Sequence, residues 1–125
     1  MIRRYQENDA SKLMKLIESE GDEWSSYYQD PGKVKYLKSL KDSITYVMIT
    51  DSEIIGYIRA IDDHGFDVYI CDLLVQKEKR GNHYGKRLIE VIQSHFIGRD
   101  IYVMSDVDGY YIKEGLEKIG SIFKI

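Results

Sequence analysis

The sequence predicts an α/β (α+β) domain with a mixed, mostly antiparallel central sheet and helices on both faces. Three observations lead there. Two amphipathic helical stretches come before residue 43, and three β-rich runs parted by polar turns fill residues 44–75. After Val75, helical and strand-like stretches alternate singly. A chain of 125 residues is enough for one domain, 1–125, that buries about two-thirds of its unfolded surface.

Residues 2–5 read as a short strand. Asn8 or Asp9 caps a helix carrying Leu13, Met14, Leu16 and Ile17, and Gly21 ends it. Asp30-Pro31 opens a second helix, with aspartate at the cap and proline in the first turn; Val34, Leu37 and Leu40 share one of its faces. Residues 44–49 and 54–61 are β-branched and aromatic, separated by Asp51-Ser52. Residues 62–65 turn the chain into a third run, 66–75, completing an antiparallel meander.

Along that third run Phe66, Val68 and Ile70 share one parity, whereas Leu73 and Val75 hold the other. A β-bulge near residues 71–73 produces such a slip and can open a slot. A strand buried on both faces needs no strict alternation either, so both readings stand. Leu88, Ile89, Ile92 and Phe96 then form a helical stripe closed by Gly98, and residues 101–104 form a strand. Asp106 caps a short helix through Tyr110 and Tyr111 that Gly115 stops. Residues 116–125 fit one or two closing strands. The expected order is β-α-α-β-β-β-α-β-α-β.

Composition narrows the function. The net charge of −3 argues against a nucleic-acid backbone as the main partner. Cys71 is the only cysteine, so no internal disulfide forms and a reducing compartment is expected. The opening residues have no apolar core of the kind a signal peptide needs, and no apolar run approaches the ~20 residues that span a bilayer. A cytoplasmic chain without a membrane partner is expected. Three scattered histidines and one cysteine give no zinc spacing, and no Gly-Lys-Ser/Thr follows the glycine turn.

The most informative stretch runs from Val75 to Leu88. An apolar strand enters a charged turn with Gly81 and Gly85 and leaves as an amphipathic helix. That order gathers backbone N–H groups and the positive end of a helix dipole at one place, with Arg80, Lys86 and Arg87 around it. The turn suits a pyrophosphate.

These residues resemble the GCN5-related N-acetyltransferase (GNAT) superfamily, in which a strand runs into Gln/Arg-x-x-Gly-x-Gly/Ala. Here the matching segment is Arg80-Gly81-Asn82-His83-Tyr84-Gly85, and Tyr110-Tyr111-Ile-Lys-Glu-Gly115-Leu116 is similar to the family's Phe-Tyr-x-x-x-Gly-Phe. His83 departs from the pattern by standing where a glycine is usual, and Asp106 by standing where an asparagine is common. The resemblance implies a single N-acetyltransferase domain over 1–125 that uses acetyl-CoA as acyl donor and no metal. The acceptor would be a small-molecule or peptide amine, and the chain a monomer or homodimer.

In that frame Arg80, Gly81, Asn82, His83, Tyr84, Gly85 and Lys86 hold the pyrophosphate, with Asp106 beside the cofactor. Leu73, Leu74 and Val75 offer main-chain groups to the pantetheine arm and the oxyanion. Tyr111 is the candidate general acid toward the leaving thiolate, since a phenol near ~10 and a thiol near ~8.5 can exchange a proton. Asp72, a carboxylate inside an apolar strand, is the candidate general base, directly or through a water; an aspartate partnered by an arginine is the other reading of it. Glu18, Glu20, Asp22 and Glu23 precede Trp24 and Tyr28, and Glu23, Trp24 and Tyr28 suit a cationic acceptor. A module of the same fold that binds acyl-CoA without turnover is the alternative.

Overall fold

In the computed structural model, which describes residues 1–125, five strands form one sheet in the order β1-β2-β3-β4-β5. β1 (Ile2–Arg4), β2 (Ile44–Thr50), β3 (Glu53–Asp62) and β4 (Val68–Val75) pair antiparallel, and β5 (Ile101–Val103) joins β4 in parallel. The helices are α1 (Ala10–Glu18), α2 (Ser25–Tyr28), α3 (Gly32–Asp42), α4 (Tyr84–His95) and α5 (Asp108–Lys113). The mixed, mostly antiparallel sheet expected from the strand-rich middle of the chain is therefore present, with helices on both faces.

Each face of the sheet has its own core. Leu13, Leu16 and Ile17 of α1 join Tyr36 and Leu40 of α3 against Val47, Tyr57 and Leu74. On the opposite face, Leu88 and Ile92 of α4, with Phe96 just past its end, cover Met48, Ile58, Val68 and Ile70. At about 1.5–3 kcal/mol per buried aliphatic or aromatic side chain, these two layers outweigh the surface ion pairs in holding the fold.

Four local expectations change. No side chain caps α3, which starts at Gly32 rather than on Asp30. Packing sets that start, because a Cβ at Gly32 would collide with the main-chain oxygen of Ser26. Val34 is exposed, and Tyr36 takes its place on the buried face beside Leu37 and Leu40. β4 begins at Val68; Phe66 stays in the preceding turn, its N–H bonded to Asp63 O, with its ring exposed.

The fourth change is at the C-terminal end. Residues 116–125 form no strand, so the observed order ends on α5. Strand propensity is realised only where the backbone meets a sheet edge. Here Leu116 N–H bonds back to Tyr111 O, and Lys118 pairs with Asp108 at the start of α5.

Asp9, not Asn8, organises the approach to α1. Its carboxylate accepts Gln6 N–H and two bonds of 2.8 Å from the Arg3 guanidinium of β1. The Arg3 bonds hold its carboxyl below the usual carboxylate range, against the opposing effect of burial. A lowered folded-state value stabilises the fold above the unfolded value of ~3.9 and loses that contribution as pH falls through the folded one. Asp9→Asn should therefore lower the thermal unfolding midpoint at neutral pH. The gap to the native protein should close as melts are repeated below about pH 4.

Candidate active site

The site starts from one surplus residue. Arg59 faces Asp72 and Ala60 faces Ile70, so Cys71 bulges from β4 with no partner in β3. Of the two readings of the parity slip, the bulge is the observed one. Val68 and Ile70 pack beneath α4; beyond Cys71 it is Leu73 and Val75 that do so, while Asp72 and Leu74 face the α1–α3 side. Burial pushes the Cys71 thiol up, which suits a packed residue rather than a nucleophile.

Pairing with β5 stops at the same point. Its last bond runs from Met104 N–H to Ile70 O, 2.9 Å. Farther along, Gln76 N–H donates to Ile55 O of β3 at 2.8 Å. By strand alternation the main chain of Leu74 also faces β3, whereas that of Leu73 and Val75 faces the edge where no strand pairs. Leu73 thus offers free main-chain groups and Val75 a free N–H, the Val75 carbonyl accepting Arg80 Nε, while Leu74 contributes its side chain to the core instead.

The open edge runs directly into the turn. After a 3₁₀ turn over Lys77–Lys79, Gly81 takes φ 85° and His83 takes φ 60°, ψ 21°. His83 thus adopts a left-handed conformation at the position where the resembling pattern has glycine, and that conformation is what glycine supplies without strain. Asn82 Nδ2 donates to Lys79 O at 2.9 Å and closes the turn.

α4 then begins without a side-chain cap, and its first helical bond is Arg87 N–H to His83 O, 3.1 Å. The N–H groups of Tyr84, Gly85 and Lys86 therefore lie at the positive end of a 12-residue helix with no helical acceptor. Gly85 is buried, and a Cβ there would meet the Tyr110 hydroxyl, so glycine lets that ring of α5 lie against the first turn of α4.

Cations surround the turn. Arg80 is fixed, with Nε donating to Val75 O at 2.9 Å and Nη2 to Glu20 Oε1 at 2.6 Å. Lys86 and Arg87 are exposed, the latter over the Tyr84 ring at 5.8 Å. Unpaired amides, cations and an open strand edge together form a donor set that fits a diphosphate carrying an amide-containing arm, which is the chemistry of coenzyme A.

Asp72 lies at the mouth of the opened edge and is buried. Its Oδ2 accepts Arg59 Nε and Tyr36 Oη–H, both at 2.6 Å, and Tyr36 Oη is 2.6 Å from Tyr57 Oη. It is the arginine-partnered aspartate that its place in the sequence allowed. Burial works against charge on Arg59, but the Asp72 carboxylate outweighs it and holds the guanidinium charged. Burial and the same carboxylate push the Tyr36 hydroxyl up. None of these three partners was picked out from the sequence. Arg59 sits in an apolar strand as Asp72 does, and two opposite charges in adjacent buried strands are the signal that could have paired them.

Tyr111 is buried on α5 and makes an edge-to-face contact with Tyr110 at 5.1 Å. Burial first, then Tyr110 and Asp106, push its hydroxyl up to about 12, so it keeps its proton throughout the neutral range. Asp106 itself is exposed and does not cap α5; Ser105 Oγ accepts Val107 N–H and donates to Asp108, the first residue of that helix. Burial first, and then the negative charge of Asp72, raise the Tyr27 hydroxyl, with Asp106 adding a smaller effect.

On the opposite wall, Trp24 meets Tyr27 edge to face at 5.2 Å, and Tyr27 stacks on Tyr36 at 4.5 Å. Tyr28 is half-buried, with its hydroxyl bonded to Gly21 O, and Glu23 is exposed beside them. The structure brings Trp24, Tyr27 and Tyr28 of the one aromatic segment to this wall.

A family model for the acetyltransferase (GNAT) family matches residues 11–109. A chloroplastic GCN5-related N-acetyltransferase 2 of Arabidopsis thaliana is 35% identical over 72 residues, covering 54% of this chain and 28% of that protein. The match therefore spans little more than a quarter of the curated relative. Among solved structures, an aminoglycoside 6′-acetyltransferase type Ii superposes with a TM-score of 0.76 at 21% identity, over 96% of this chain and 84% of its own. The PaiA N-acetyltransferase of Thermoplasma acidophilum, solved with coenzyme A, gives 0.72 at 16% identity over 91% and 87%. At such identities the structural likeness concerns the fold.

The left-handed His83 supplies a direct check on the turn. His83→Gly should stabilise the free protein by about 1 kcal/mol in chemical denaturation, because it removes the strain of a Cβ at positive φ. A variant less stable than the native chain would show that the His83 side chain holds the turn.

Proposed function

The chain belongs to the acetyltransferase (GNAT) family, and on that premise we propose that residues 1–125 act as a single N-acetyltransferase domain, moving an acetyl group from acetyl-CoA to a primary amine by direct transfer in a ternary complex. The observation that carries this reading is the unpaired edge at Leu73 and Val75 leading straight into the uncapped start of α4. The coenzyme A bound to PaiA N-acetyltransferase, a structure of the same fold, supports a CoA-type donor.

Acetyl-CoA supplies the activated thioester. The main chain of Leu73 and Val75 binds the arm and aligns it along β4. The turn from Arg80 through Lys86, including Gly81, Asn82, His83, Tyr84 and Gly85, receives the diphosphate on its amides and cations, with Asp106 bordering the cofactor. Tyr111, protonated and without a hydrogen-bonded acceptor of its own, gives its proton to the departing sulfur. Asp72 takes the amine proton through a water on Oδ1, the oxygen that Arg59 and Tyr36 leave free. Glu23, Trp24 and Tyr28, together with Tyr27, form the acceptor wall, whose aromatic faces and negative charge suit a cationic amine on a small molecule or a peptide.

The bonds that Arg59 and Tyr36 already make to Asp72 Oδ2 favour a second reading, an acyl-CoA-binding module without turnover. Calorimetry with acetyl-CoA, followed by thiol release in the presence of diamines and aminoglycosides, separates the two. The enzyme reading expects low-micromolar binding and amine-dependent thiol release. Binding without release selects the module, and no binding up to millimolar acetyl-CoA removes both. Tyr111→Phe should lower kcat by about 10²-fold while leaving cofactor affinity unchanged; undiminished turnover would return this ring to packing alone.

A further inference from the structure

Glu20 is the one buried side chain in the molecule with an oxygen that has no hydrogen-bond partner: Oε2 is orphaned while Oε1 holds Arg80. Its side chain is 8% exposed. The residue follows the last turn of α1, with its N–H bonded to Ile17 O at 3.0 Å, so its backbone is anchored. A half-satisfied buried carboxylate is costly, and an ion pair whose arginine is half in solvent adds little to stability. Stability alone does not account for a glutamate here.

The bond it makes does. Of the five N–H donors of the Arg80 guanidinium, one points to Val75 O and one to Glu20 Oε1, leaving three. The Arg80 side chain is 48% exposed, so the guanidinium is pinned yet still reaches solvent beside the uncapped start of α4. Lys77, Lys79 and Lys86 make no ion pair, and each would have to be ordered when an anion arrives. Among the cations of the turn Arg80 is the one held beforehand by hydrogen bonds, and across 60 residues of sequence it is Glu20 that makes one of them.

We propose that Glu20 is a positioning residue for the cofactor, presetting the Arg80 guanidinium for the diphosphate without touching the cofactor itself. The inference rests on the diphosphate reading of the turn. It deepens that reading by assigning part of the affinity to a carboxylate, a group whose charge by itself opposes an anionic ligand. Preorganisation outweighs that repulsion because Arg80 neutralises Glu20 and pays the ordering cost of its long side chain before binding.

The test compares coenzyme A binding by calorimetry with thermal unfolding of the ligand-free proteins, for the native chain, Glu20→Gln, Arg80→Gln and the double variant. Glu20→Gln should raise the Kd for coenzyme A by about three- to ten-fold, the worth of ordering one long side chain. Its unfolding midpoint should stay equal to or above the native one. In the Arg80→Gln background, adding Glu20→Gln should weaken binding no further. Equal or tighter binding by Glu20→Gln, while Arg80→Gln binds weakly, would overturn the role of Glu20 and leave the diphosphate site standing. A parallel fall in midpoint and affinity would also overturn it, as the mark of a structural residue. A native chain that binds no coenzyme A would bring down the inference together with the reading beneath it.

Discussion

β4 carries one residue more than β3 can pair, and the candidate site is arranged around that surplus at Cys71. A single extra residue reverses the side-chain parity of everything after it. Before the bulge, Val68 and Ile70 fill the α4 core; after it, Asp72 is turned into the opposite layer and Leu73 and Val75 take over the α4 side. The pairing of β4 with β5 ends at Ile70 as well, so the strand leaves the bulge with one edge unclaimed. One local defect therefore places a charged side chain, an open backbone edge and the direction of the following turn.

The charge brought inside is not left alone. Asp72 gathers Arg59 from β3 and Tyr36 from α3, and Tyr57 completes the chain of hydroxyls. A buried ion pair of this kind adds little net stability, because desolvation offsets most of its attraction. Its evident consequence is geometric. It ties α3 to the bulged strand and holds Tyr36 where Tyr27 stacks on it.

Three departures from local preference meet at the turn. His83 accepts a left-handed backbone, α4 starts without a cap, and the Glu20 side chain, 8% exposed, keeps one oxygen unpaired. Elsewhere Asp9 is bonded to Gln6 and Arg3, and Ser105 accepts a backbone N–H just before α5, although α1 and α3 also start without a side-chain cap. Unmet donors and stored strain in one place are what a site awaiting an anion requires. The half-buried Arg80, fixed at both Val75 and Glu20, gives that place a cation in a defined position.

The meander, the helix stripes, the parity slip near Cys71 and the glycine turn were legible in the sequence because each is a periodicity, or a break in one, within a dozen neighbouring residues. The resemblance in Arg80–Gly85 and in Tyr110–Gly115 was legible for the same reason. Local patterning misjudged α3, where Val34 looked like core and Tyr36 is, and residues 116–125, which are strand-like but meet no sheet edge. Arg59, Tyr36 and Tyr57 lie 13 or more residues from Asp72, and Glu20 lies 60 from Arg80. Which distant side chains share a buried charge is decided by how the layers stack, since burial and hydrogen-bond geometry exist only in the assembled fold. Composition and periodicity settled the scaffold and the mouth of the site, and tertiary packing alone chose the partners of its charges.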